Sequence, residues 1–394
     1  MDTTEPQHER IYAAEILLKI MKPIGLWQWL PPNASVEPYM ATTVQLLQYG
    51  QRLLLQVPFT FIFFTLMWYE VMQATDIDQV GDVIYMSLAG AALILKVLNI
   101  WKYSIEALNF IATLKDSPQF ALRTVQEVEF WRRSQRRFRY IIYLYGTGSC
   151  ITVVSAFLGV LVMEEPQLAF PYWVPFEWKT VRRNYWLAYF LNMMGMACGA
   201  TTSVCLDMLG CYFLFHVSLL YRILRFRLQK FNDVPGENVE SKLQSIFKFH
   251  KLIRRMTKEC ELISANFVMA QIILSALILC FCCYRIQKME IAENFPQFLS
   301  MLQFLAVMFL QIFLPCYFGN EITVNSAKLP TDLYNINWLE FSVSNRKLLV
   351  LFQEFLKRPD KVTIFGYFDV GLPVFTKVMN NAYSVFALLM NVEK

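Results

Sequence analysis

The run FLSMLQFLAVMFLQIFLPCYF, residues 298–318, carries no charged side chain. A hydrocarbon layer of about 30 Å takes roughly 20 consecutive apolar residues in helical form, and this run has the length. Reading outward, comparable runs lie at 262–284, 185–215, 140–163, 80–101 and 53–74 on its N-terminal side and at 367–390 on the other. The run at 185–215 is long enough to continue beyond a bilayer. Bulk composition agrees, with 56% apolar and only 17% charged residues and a mean hydropathy of +0.36, outside the usual range of soluble chains. The fold class expected is an all-α integral membrane protein of seven transmembrane helices, a single domain over residues 1–394.

Residues 1–9 hold acids and no basic leader, and the weakly apolar 11–20 is too short to span, so the N-terminus is expected to stay in the cytoplasm. Basic residues near helix ends resist translocation, which orients the rest. One side collects Arg10, Lys19, Lys22 and Arg52, then Lys102, Lys115, Arg123, Arg132, Arg133, Arg136, Arg137 and Arg139, a cluster from Arg222 to Lys258, and Lys328, Arg346, Lys347, Lys357, Arg358 and Lys361. The other has only Lys179, Arg182, Arg183, Arg285, Lys288 and Lys394. The N-terminus is therefore read as cytoplasmic and the C-terminus as extracellular. The net charge of +5 is accounted for by this orientation and calls for no nucleic-acid partner.

All nine cysteines fall in or beside the spans, so no disulfide is expected outside. A G-protein-coupled receptor also has seven helices, but with its N-terminus outside and usually a disulfide from its second outer loop. Neither expectation is met. The second inner connection is patterned: Leu243, Ile246, Phe247, His250, Ile253 and Met256 recur at helical spacing among Lys242, Lys248, Lys251 and Arg255. With 217–231 continuing the fourth span and Pro235-Gly236 breaking the chain, residues 217–261 read as a cytoplasmic helical hairpin. The outer loop 164–184 holds Pro166, Pro171, Tyr172, Trp173, Pro175, Phe176 and Trp178 and reads as a lid.

The C-terminal third has a succession of marks: Pro315-Cys316-Tyr317-Phe318-Gly319-Asn320-Glu321-Ile322-Thr323, Ser326, Tyr334 and Trp338, then Asn345-Arg346-Lys347-Leu348-Leu349, Arg358-Pro359, Phe365-Gly366-Tyr367-Phe368 and Ala382-Tyr383-Ser384-Val385-Phe386-Ala387-Leu388-Leu389. This succession, with the lid, Asp207 and His216, resembles the insect odorant receptor family. The resemblance implies a subunit of a heterotetrameric, odorant-gated, nonselective cation channel formed with a shared co-receptor, in the plasma membrane of a sensory neuron dendrite. Residues 217–261 leave no room for the longer second inner loop of the co-receptor type, so the tuning subunit is implied. Leu329-Pro330 departs from the pattern, because a proline interrupts what the family commonly makes helical there.

A ligand cavity is expected in the outer half of the bundle, lined by apolar and aromatic groups with a few hydroxyls. The candidate stripes are Tyr85, Met86 and Ala89 on the second span, Ser149, Thr152, Val153 and Ala156 on the third, and Tyr189, Met193, Met196 and Ala197 on the fourth. They suit a small, neutral, largely apolar, possibly aromatic volatile. On the seventh span Lys377, Asn380, Asn381, Ser384, Leu388 and Asn391 fall within one face about 100° wide. The resemblance assigns the pore to this span, which makes Asn380, Ser384, Leu388 and Asn391 pore-lining and sets Tyr383, just off the stripe, as the link to the odorant pocket.

Among charged groups within the spans, Lys96 is placed near an inner end, able to snorkel, and Asp207 deeper, in a structural hydrogen-bonded role or, as the alternative, in gating. Gly195 and Gly199 form a GxxxG pair suited to close packing. Cys280 and Cys283 read as packed thiols, and no catalytic constellation, metal set or cofactor motif stands out. The expected partners are the co-receptor, the volatile and membrane lipid, with a metabotropic receptor or a transporter as the alternative function.

Overall fold

The computed structural model describes residues 10–28, 38–74, 77–163, 166–233, 238–289, 295–364, 366 and 368–392. In chain order they form α1 (Tyr12–Met21), α2 (Pro38–Gln51), α3 (Phe63–Gln73), α4 (Ile77–Lys102), α5 (Ser104–Asp116), α6 (Val125–Leu161), α7 (Arg182–Gln229), α8 (Val239–Lys288), α9 (Phe295–Ala327), α10 (Leu329–Tyr334), α11 (Val343–Leu356), a two-stranded antiparallel hairpin of β1 (Thr363–Ile364) and β2 (Phe368–Asp369), and α12 (Leu372–Val392). Among the described residues six helical stretches are long and apolar enough to cross a membrane, all but the last of the runs read from the sequence. The seventh is α12, packed on α8 and α9.

The first span is one rod. Between α2 and α3 the backbone widens into π-helical turns over Arg52–Ile62, with Pro58 inside. A proline has no N–H to give to the ladder, and a shift to longer-range bonding is one way a helix absorbs it.

Beyond the apolar runs the helices carry on. The helix α6 starts at a Thr124 cap whose hydroxyl accepts from the Glu127 N–H, well before its apolar run. The stripe Leu243, Ile246, His250, Ile253 and Met256 is buried on the first half of α8, which runs unbroken into the fifth span. The expected cytoplasmic extension of the fourth and fifth spans is thus α7 and α8 themselves; Pro235 and Gly236 lie outside the described residues. Glu127 receives two bonds from Arg227, each 2.9 Å, and locks α6 to α7. Asp332 of α10 receives Arg225 at 2.7 Å and Gln229 at 3.0 Å.

Near Pro330 the helix is interrupted as read: α9 ends at Ala327, Lys328 makes a turn and a new short helix begins at Leu329, with the proline in its first turn, where its missing N–H has no partner to lose. The first inner connection holds α5, whose Ala107, Phe110, Ile111 and Leu114 are buried.

Candidate ligand cavity and the polar cluster beneath it

Glycines let aromatic rings into the bundle. A Cβ on Gly195 would stand 2.6 Å from the Phe63 ring, and one on Gly199 would stand 2.9 Å from that of Phe64. The Phe64 ring also fills the space beside Gly90. The GxxxG pair of the fourth span therefore receives side chains of α3 rather than a helix backbone. Phe64 forms one wall of a cavity enclosed by α3, α4, α6, α7, α8, α9 and the lid.

The cavity's volume is about 100 Å³; a dry cavity of roughly 150 Å³ suffices for benzene. Most of its lining is apolar, with Met86, Ala89, Leu93, Val153, Met196 and Phe304 prominent. A second chamber of about 160 Å³ lies under the lid and shares Thr152, Phe170 and Phe304 with the first. The lid is fastened from below. The Asn192 amide donates to the Phe170 carbonyl at 2.7 Å, the Tyr172 hydroxyl donates to the Ala188 carbonyl at 3.1 Å, and the Trp173 N–H donates to the Leu66 carbonyl at 3.3 Å. Burial pushes the Tyr172 phenol up to about 12.

Under the cavity lies a buried charge pair. The Lys96 ammonium of α4 is 2.6 Å from Asp207 Oδ1 of α7, and both side chains are under one tenth exposed. Asp207 Oδ2 accepts from Tyr145 at 3.1 Å, Ser203 at 3.2 Å and Gln311 at 2.5 Å. Gln271 donates to Gln311 Oε1 at 3.1 Å and to Ser275 at 2.6 Å. One cluster thus ties five helices together. Asp207 has the hydrogen-bonded role expected of it. Lys96 does not snorkel: the carboxylate three helices along the chain gives it an internal partner, which serves better than a reach to the interface.

The chain matches the family described as 7tm Odorant receptor over residues 76–383. It belongs to the odorant receptor family. It is 44% identical to Odorant receptor 94a of Drosophila melanogaster over 385 residues, 98% of each chain, and 24% identical to Odorant receptor 46a, isoform A, of the same species over 80% of this chain and 83% of the other. Its fold is that of the insect olfactory receptor OR5 from Machilis hrabei, solved in complex with eugenol, with a TM-score of 0.84 at 16% identity over 98% of this chain and 99% of that one. The all-α, seven-helix membrane class read from the sequence is the class of that structure, and an odorant receptor is a receptor and channel family rather than an enzyme family.

Of the candidate odorant contacts, Met86, Ala89, Ser149, Thr152, Val153 and Met196 line the first cavity, and Tyr85 and Ala156 join Thr152 at the second. The others stand elsewhere. Tyr189 is buried behind the lining, donating to the Phe157 carbonyl at 3.0 Å, and Met193 packs half-buried against the core. Ala197, one residue and about 100° beyond Met196, is exposed. Tyr383 is 71% exposed on α12, because that helix lies outside α8 and α9 and, among its described residues, turns Val378 and Ala382 fully inward; it touches neither chamber. On the same free face Asn380 and Ser384 are exposed, the Ser384 hydroxyl bonded back to the Asn380 carbonyl at 2.9 Å. The side chains of Leu388 and Asn391 lie outside the described residues.

Tyr145, Ser203, Gln271, Phe304 and Gln311 line the cavity and were not singled out from the sequence. The glutamines within largely apolar spans were the available signal, since a buried amide without a partner is costly.

Proposed function

We propose that this chain is the odorant-binding subunit of a heteromeric, odorant-gated, nonselective cation channel, paired with the family's co-receptor in a heterotetramer of the plasma membrane. The supporting observation is that α9 stands between the cavity and α12. Its Val307, Met308 and Gln311 line the cavity. Its Phe309 and Phe313 hold the Phe375 ring of α12 at 5.1 and 5.5 Å between centroids. A ligand larger than the resting cavity fits only if these helices part, so it binds better to the parted arrangement and shifts the equilibrium toward it. A movement of α9 carries α12 with it, and the polar face of α12, with Asn380 and Ser384, is the pore lining in this reading.

The cavity suits a small neutral volatile held by dispersion and ring contacts against Phe64, Phe170 and Phe304. Eugenol, seen in the similar receptor of Machilis hrabei, is of that general kind. The test is current from cells expressing this chain with the co-receptor and lacking G-protein signalling. Odorant-evoked cation current that Ala89→Trp abolishes, with surface expression intact, supports the reading; a response that requires G proteins excludes it in favour of a metabotropic receptor.

A further inference from the structure

We propose that the cavity accepts hydrogen bonds but offers none, and so selects volatiles carrying a hydroxyl over the corresponding ketones and ethers. The proposal rests on the cavity being the odorant site and adds the chemical class of its ligand.

The argument is an account of donors. The polar side chains on the wall are Tyr145, Ser149, Thr152, Ser203, Gln271 and Gln311. Ser149 and Thr152 give their hydroxyl hydrogens to the Tyr145 and Gly148 carbonyls one turn back, at 2.9 and 3.0 Å. Tyr145 and Ser203 give theirs to Asp207. Gln311 spends both amide hydrogens, on Asp207 and on Ser203 at 3.4 Å. Gln271 spends both of its own on Ser275 and on Gln311 Oε1. Every donor on the wall is engaged within the protein.

The direction of this chain is fixed at one end. A carboxylate paired with an ammonium is an acceptor only, so it is the NH₂ of Gln311 that faces Asp207. Gln311 Oε1 then faces Gln271, whose NH₂ must turn toward it. What remains is Gln271 Oε1, a buried oxygen without a hydrogen-bond partner, on a residue 6% exposed that lines the cavity. A ligand hydroxyl supplies what this atom lacks, and the hydroxyl oxygens of Ser149 and Thr152 can take a second donor. A ketone or ether placed in the same cavity leaves its own oxygen unbonded and Gln271 Oε1 unsatisfied as well. Losing a buried partner of this kind lowers affinity on the order of tenfold.

The test is a set of dose–response curves on cells expressing this chain with the co-receptor, using cyclohexanol, cyclohexanone and methoxycyclohexane, and phenol against anisole. The half-maximal concentration of each alcohol should lie about tenfold below those of its partners. Met196→Gln places free amide hydrogens on the wall and should narrow the gap by raising the potency of the ketone, a gain that misfolding cannot produce. Ketone and ether as potent as the alcohol would overturn the donor rule and leave the channel reading standing. Silence to every compound, with surface biotinylation showing the receptor in place, overturns the rule too. A broad odorant panel then decides the channel reading separately.

Discussion

The carbonyl oxygen of Val370 occupies the place that a Cβ on Gly319 would need. The residue comes just after β2 and the glycine lies on α9, so the chain leading into α12 is seated directly on the helix that lines the cavity. The Val370 N–H is itself held by the Val362 carbonyl at 2.8 Å, which leaves the junction little room to yield. Gly319→Ala is expected to force α9 and this junction apart at a cost of about 1–3 kcal/mol. The thermal midpoint of the purified receptor should fall, and odorant-evoked current should fall more steeply than surface expression.

Lys96→Met should destabilise by about 3–5 kcal/mol, because it strands Asp207 as an uncompensated buried charge. Adding Asp207→Asn should recover part of the loss, since the neutral amide oxygen still accepts from Tyr145 and Ser203. Thermal unfolding in detergent compares the single and double variants. Equal stability of both variants with the parent would remove the pair as a structural element.

Cysteine at Ser384 should make odorant-evoked current sensitive to water-soluble thiol reagents, while cysteine at Val378, 4% exposed against α8 and α9, should not. The parent for the series is Cys150→Ser, because Cys150 is an exposed thiol. Val385, just beside the polar stripe, is 40% exposed in the single subunit and so cannot serve as a protected control. Insensitivity at Ser384 with normal currents would take α12 of this chain out of the pore lining.

How far the sequence was legible depended on what kind of neighbour each residue has. Spans declare themselves because bilayer thickness acts on each helix separately, so the runs at 80–101 and 298–318 needed no knowledge of partners. The buried stripe of α8 was readable from its helical spacing, which is likewise local to one helix. Partnerships were not. Lys96 and Asp207 lie 111 positions apart, and no pattern in either helix says that one meets the other. Nor does either span show that Gln271 meets Gln311, or that Gln311 in turn reaches the Asp207 carboxylate. Along α4, α6 and α7 the cavity residues were recovered where a helix faces inward at the right depth, as Met86 and Ser149 do. Ala197 and Tyr383 were lost because the rotation of a helix is set by packing, and a stripe of mixed residues does not fix it.

Asp360, in the link between α11 and β1, gives the cytoplasmic end a pH dependence of known sign. Burial pushes its carboxyl up, but bonds from His250 and Tyr221 and the charges of His250 and Arg254 outweigh that and hold it below the ordinary carboxylate value. Tyr221 donates at 2.8 Å, and Arg254 Nε stands 3.1 Å away. A carboxyl lowered by folding contributes stability that is complete above its unfolded value of about 3.9 and is lost as pH falls through the folded value. Thermal midpoints between pH 6 and pH 3 should therefore drop more for the parent than for Asp360→Asn, which starts lower by on the order of 1–3 kcal/mol.

Asn33-Ala34-Ser35 is the chain's N-x-Ser/Thr sequon and lies outside the described residues. With a cytoplasmic N-terminus it never meets the glycosylation machinery. Glycosidase treatment is expected to leave the electrophoretic mass unchanged; a shift abolished by Asn33→Gln would reverse the orientation.

The pairing of Lys96 with Asp207 has a further consequence for the making of the protein. The ammonium sits in the second span to be synthesised and its carboxylate in the fourth, so the ribosome delivers the cation well before its counterion exists. A lone Asp at the centre of a span costs roughly 2.5–3.5 kcal/mol on insertion, and a lone Lys nearer the end of one costs less. The second span then has reason to linger beside the translocon until the fourth emerges, and to enter lipid in its company. A substitution at either residue would then act during biogenesis, sending the chain to quality control before it ever meets an odorant.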